Sequence, residues 1–166
     1  EEIFPPPAGE RFLGVYSSGS TGKPKLIWWN LKALHSNCSK YSNAAGWTWA
    51  TCFQPWSFAG VHLACQAHIS GGRVLSLGHD WQMNHSILQQ DRPQAISVTP
   101  TFIDMLIQSR KNSKSTDWSP RQISIGGEIL RASTGTRIRS TYPSSRITLI
   151  YGSAEAGVIA KTTRHD

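Results

Sequence analysis

The sequence predicts an α/β fold: a mainly parallel, Rossmann-like sheet flanked by helices. Three observations predict it. Short apolar runs alternate with segments of helical periodicity along most of the chain, and such alternation implies crossover connections and parallel pairing. Two glycine-bearing segments, Ser17–Gly22 and Gly126-Gly127, directly follow apolar runs, at strand carboxyl ends where open α/β sheets place their ligands. The composition, with 39% hydrophobic and 16% charged residues in 166, is that of a folded chain long enough to bury a core.

The elements follow in order. Residues 11–17 read as a strand, and Leu26-Ile27-Trp28-Trp29 as a second one after the loop. Asn30 is placed to cap a helix whose face carries Leu31, Leu34, Cys38 and Tyr41. Residues 47–53 read as extended, and 58–69 as an apolar helix ended by Gly71-Gly72. Arg73–Leu77 is a strand, 84–90 a short helix, and Ala95–Thr99 a buried strand. Helix 101–111 follows Pro100, a residue suited to a helix start. Strand 121–125, helix 131–141 and strand 146–151 complete the series, with Lys111–Pro120 polar enough to read as a mobile loop.

Ser17-Ser18-Gly19-Ser20-Thr21-Gly22-Lys23-Pro24-Lys25 carries the most chemistry. Glycines let a backbone turn and bring its N–H groups close to a ligand. Hydroxyls donate hydrogen bonds, and lysine ammoniums supply the charge a polyphosphate requires. The segment therefore reads as a phosphate-wrapping loop after a strand. It is not a Walker A loop, because Lys23 is followed by Pro24 rather than by Ser or Thr. A short piece of it alone would pass for a Gly/Ser surface linker.

Tyr16 through Lys25 resembles the phosphate-binding signature of the adenylate-forming (AMP-binding) enzymes, the family of acyl-CoA synthetases, peptide-synthetase adenylation domains and luciferases. Leu26 stands where that signature closes on glycine. Ile125-Gly126-Gly127-Glu128-Ile129-Leu130 is similar to the segment lining the family's acyl and adenine pocket. Ile150-Tyr151-Gly152-Ser153-Ala154-Glu155-Ala156-Gly157 resembles its Tyr-Gly-x-Thr-Glu segment. The order and spacing match, and the resemblance runs from about Phe12 to Gly157. It implies the large N-terminal domain of an AMP-forming acid–thiol ligase, acting on a carboxylic acid with MgATP and with coenzyme A as a candidate co-substrate. By that resemblance Ser17, Ser18, Gly19, Ser20, Thr21, Gly22, Lys23 and Lys25 hold the phosphates. Gly126, Gly127, Glu128, Tyr151, Gly152 and Ser153 frame the nucleotide. Glu155 holds magnesium, and Lys25 and Glu155 are the catalytic candidates.

The departures matter too. Ala154 occupies the usual threonine position. Gln54–Gly60 loosely resembles the acyl-site segment, with Phe58 in the histidine position and Gly60 one residue early, while Trp56 is a candidate for shaping the acid pocket. No Tyr-x-Thr-Gly-Asp ribose motif appears, nor the hinge and C-terminal lysine domain, so residues 1–166 read as one partial domain, an internal piece of a larger enzyme that would be inactive alone. An apolar surface left by the missing remainder would favour self-association.

A net charge of +7 favours anionic partners, for which a nucleotide suffices. Arg110-Lys111-Asn112-Ser113-Lys114 is the densest basic cluster and sits at an expected helix end, so nucleic acid is disfavoured. Cys38, Cys52 and Cys65 form no Cys-x-x-Cys pair; they read as small packed residues in a reducing cytoplasm rather than as a disulfide or zinc framework. His62 and His68 read as packed or surface residues, and most of the seven tryptophans as packing. No signal peptide and no apolar run of about 20 residues is read. Two other readings stay open: a non-catalytic nucleotide-binding or assembly module of the same fold, and a basic nucleic-acid-binding α/β domain.

Overall fold

Residues 9–17, 24–39, 44–110 and 117–164 are described by the computed structural model. Their elements are β1 (Phe12–Ser17), β2 (Lys25–Asn30), α1 (Leu31–Ser39), β3 (Thr48–Thr51), α2 (Phe58–Ile69), β4 (Arg73–Ser76) and α3 (Trp81–Asp91). β5 (Ala95–Val98), α4 (Pro100–Arg110), β6 (Gln122–Ile125), α5 (Ala132–Thr141), β7 (Arg146–Ser153) and β8 (Gly157–Arg164) follow. The main sheet has the order β4-β3-β5-β6-β7-β8 and is parallel except for the β7–β8 pair. β1 and β2 form a separate antiparallel hairpin in which Ser17 pairs with Lys25. The α/β class with a mainly parallel sheet is as the alternation predicts.

Strands β5 and β6 send alternate side chains to opposite faces of the sheet. Ile96, Val98, Ile123 and Ile125 join Leu88 of α3, Ile103 and Leu106 of α4, and Ile138 of α5 in the main core. On the other face Leu63 and Ala67 of α2 pack on Trp49 and Ala95. A third cluster of Val15, Leu34, Cys38 and Phe58 seats the hairpin against α1 and α2, with Trp29, Ala154 and Val158 beside it. Among the described residues no helix is long and apolar enough to cross a membrane.

Three expectations change. The helix expected over 84–90 starts at Trp81, because the Asp80 carboxylate accepts from the backbone N–H groups of Gln82 (2.9 Å) and Met83 (3.1 Å) and caps it. The last expected strand does not stop at 151. It continues to Ser153, turns, and returns as β8, a strand the alternation did not predict. The turn works because Ser153 Oγ accepts from Ala156 N–H at 3.1 Å and Gly157 takes a φ of +74°, where a side chain would be strained. Third, residues 111–116 of the segment expected to be a mobile loop lie outside the described residues, and its described end, 117–120, is anchored where the buried Trp118 indole donates to Pro93 O at 2.9 Å. The Asn30 cap is as expected, with Oδ1 accepting from Lys32 N–H at 2.9 Å, while Tyr41 of that helical face lies outside the described residues.

Candidate functional site

In strands buried on both sides, parallel sheets ordinarily carry near-continuous apolar runs. β5 and β6 do not. Ser97, Gln122 and Ser124 alternate with the core residues and are buried on the opposite face of the sheet. That polar face is one wall of a cavity of about 710 Å³, a size typical of small-molecule sites. Phe58, His62, Leu63 and Gln66 of α2 form the facing wall. Lys161 of β8 and Ile150 of β7, a cross-strand pair, also line it.

The mouth carries the predicted motifs. Ser17 and Lys25, at the loop end of the hairpin, line the same cavity as Gly126, Gly127, Gly152, Ser153 and Glu155. Two contacts bring them together. Tyr16 N–H donates to Trp56 O at 3.0 Å, which lays β1 beside the start of α2. The Trp29 indole N–H donates to Ala154 O at 2.8 Å, which ties β2 to the β7–β8 turn bearing Glu155. Gly157 serves that tie too, since a Cβ there would meet the Trp29 ring at 3.0 Å.

Ser17 Oγ is buried and has no partner among the described residues. An unmatched buried hydroxyl costs about 1–3 kcal/mol, and a ligand oxygen would remove that cost. With the Lys25 ammonium opposite and one carboxylate at the turn, the mouth fits a phosphate chain with an accompanying cation. No group of three or more His, Cys, Asp or Glu side chains gathers among the described residues; Glu155 is the one carboxylate among the described residues lining the cavity.

The predicted site residues divide. Ser18, Gly19, Ser20, Thr21, Gly22 and Lys23 lie outside the described residues. Tyr151 stands between two lining residues but does not line the cavity and is 69% exposed. Glu128 also stays outside the lining; its carboxylate accepts from the backbone N–H (3.2 Å) and the hydroxyl of Thr101, at the start of α4. Trp56, the candidate for shaping the acid pocket, is 57% exposed and outside the lining, while its neighbours Ser57 and Phe58 line it. His62, Gln66, Ser97, Ser124 and Lys161 went unremarked as site residues. The signal available for two of them was period-two polarity, Ala-Ile-Ser-Val and Gln-Ile-Ser-Ile, in strands the crossover pattern already made central.

Burial drives the His62 pKa down to about 4, with the Lys161 charge adding to the effect, so the imidazole is neutral at pH 7. Its Nε2 lies 3.2 Å from Asn37 Oδ1. Lys161 is itself pulled below the usual lysine range by burial first and by Arg146 second.

The family model described as AMP-binding enzyme matches residues 4–166. The chain belongs to the AMP-binding enzyme family. No curated protein matches the sequence. Among solved structures, the chain is similar to the luciferase-like enzyme of the nonluminescent mealworm Zophobas morio, with TM-score 0.73 and 18% identity over 89% of this chain and 36% of that one. It is similar to a long-chain-fatty-acid-CoA ligase from Archaeoglobus fulgidus, with TM-score 0.76 and 19% identity over 91% of this chain and 33% of that one. It is also similar to the O-succinylbenzoate coenzyme A synthetase of Bacillus subtilis, solved in complex with ATP and magnesium ion, with TM-score 0.72 and 19% identity over 90% and 32% of the two chains. These likenesses establish the fold, that of the N-terminal domain of adenylate-forming enzymes. The chain spans about a third of the length of these proteins.

Proposed function

We propose that this chain supplies the phosphate cradle, nucleotide frame and acid pocket of a ligase that activates a carboxylic acid with MgATP. The product would be an acyl-adenylate plus pyrophosphate, with the acyl group then passed to a thiol such as coenzyme A. One observation carries the reading: Ser17, Lys25 and Glu155 share the mouth of a cavity whose interior is separately walled by α2 and the polar sheet face.

Attack of a carboxylate oxygen on the α-phosphorus needs mostly positioning and charge neutralisation. Lys25, the Ser17 hydroxyl and the loop residues Ser18–Lys23 would hold the β- and γ-phosphates. Glu155 would hold the magnesium that accompanies them, which offsets charge on the leaving pyrophosphate. Gly126, Gly127, Tyr151 and Gly152 would frame the adenine, and the interior would hold the acid. The three free cysteines support a reducing compartment such as the cytoplasm.

Ala154 favours a second reading, a non-catalytic nucleotide-binding module. In place of the usual hydroxyl, its methyl packs beside the Val15–Phe58 cluster. Two measurements test the pair. Calorimetric titration of MgATP should show Lys25→Ala binding roughly tenfold or more weakly, since a charge-assisted hydrogen bond is worth about 1.5–3 kcal/mol. Unchanged affinity would remove Lys25 from the cradle. In a longer parent, Glu155→Gln should slow pyrophosphate exchange; a parent with no exchange at all would favour the non-catalytic module.

A further inference from the structure

The interior of the cavity offers hydrogen-bond donors and positive charge, and its chemistry narrows the acid. Ser97 and Ser124 are direct cross-strand partners on β5 and β6, line the cavity, and are only 6% and 3% exposed. The Gln122 side chain is already committed: its Nε2 donates to Ser124 Oγ at 2.9 Å and its Oε1 accepts from Arg146. Ser124 therefore keeps its own hydrogen to donate. The Ser97 hydroxyl makes no hydrogen bond to another described residue. The Trp49 indole N–H, on the same face of the sheet, is buried with no hydrogen-bond partner among the described residues.

Charge points the same way. Lys161 lines the cavity, and Arg146 stands on β7 four residues before Ile150, the cross-strand partner of Lys161. Glu155, at the mouth, is the sole carboxylate among the described lining residues. A hydrocarbon tail would leave the buried serine donors unmatched, and sites built around hydrogen bonds discriminate strongly against partners that cannot make them.

We propose that the acid carried by this site bears a second, anionic oxygen group at its far end, a dicarboxylate or an acid of that class, received by Ser97 and Ser124 with the Lys161 charge beside them. The proposal rests on the ligase reading above. A hydrocarbon-chain acid is the competing occupant.

The test uses the full 166-residue chain and three non-hydrolysable probes: adenosine sulfamate, succinyl-sulfamoyladenosine and butanoyl-sulfamoyladenosine. Calorimetry should give the succinyl probe at least tenfold tighter binding than the butanoyl probe. Ser124→Ala and Lys161→Met should each lower the succinyl-to-butanoyl ratio severalfold, a readout that a general loss of stability would not move because it weakens both probes alike. Equal or tighter binding of the butanoyl probe, with adenosine sulfamate bound, overturns the proposal and leaves the ligase reading standing. Ratios unchanged in both variants also overturn it. Binding of none of the three probes overturns the ligase reading and the proposal with it.

Discussion

His62 is a histidine in an apolar helix, and its surroundings set its chemistry. Buried on α2, it has a pKa near 4 against an ordinary value of 6.5, because a buried imidazolium would lose its water. The unfolded chain therefore binds more protons than the native chain between these two values, and stability rises with pH across that window. Above about pH 6.5 the contribution is complete; below it, stability falls and levels off near pH 4, by at most about 3 kcal/mol. His85, lowered by burial and then by Arg110, acts in the same direction. Urea midpoints of the wild type should drop between pH 7.5 and pH 4.5, and His62→Gln should drop less. Parallel pH slopes in the two proteins would count against His62 as a source of the effect.

Elements here are set by local chemistry where it is strong. Asp80 illustrates this in α3, the helix that contributes Leu88 to the main core. Asp80→Ala should cost about 1 kcal/mol in a denaturant titration, and Asp80→Asn much less, because the amide oxygen can still accept. A cost equal in both variants would show that charge rather than the cap bond matters. Strands β7 and β8 show the opposite case. The Tyr-Gly-Ser segment forms the end of β7, two residues beyond the expected end of the strand, and the turn at 154–156 then sends the chain back into antiparallel pairing. That return pairs Lys161 with Ile150, and both line the cavity.

At the scale of the whole molecule, the sheet separates two tasks. One face is an apolar core under α3, α4 and α5, and the other gives its central polar positions to a cavity under α2. The hairpin completes that cavity through the Trp29–Ala154 hydrogen bond. Adenylation, however, also needs the ribose held and the α-phosphate aligned, and a misplacement of about 1 Å can cost a hundredfold. These residues contain no Tyr-x-Thr-Gly-Asp motif. The purified chain is expected to bind nucleotide without forming acyl-adenylate, as read by mass spectrometry of the products alongside a longer parent. Robust adenylate formation by the chain alone would contradict this.

Alternation of apolar runs and helical periods was enough to reveal the α/β class, because burial dictates residue type along strands and helices alike. Ser17, Lys25, Gly126, Gly127 and Glu155 could be picked from the chain because motif chemistry is local: each segment holds its glycines, hydroxyls or charges within a few residues. Long-range contacts are not written that way. The pairing of Ser17 with Lys25, the indole that joins β2 to a turn 125 residues away, and the return of β8 depend on surfaces that meet only when the chain closes. The same holds for the polar wall of the cavity. Ser97, Ser124 and Lys161 are unremarkable in sequence and meet only because three strands bring them to the lining of one cavity, where an unmatched donor is costly.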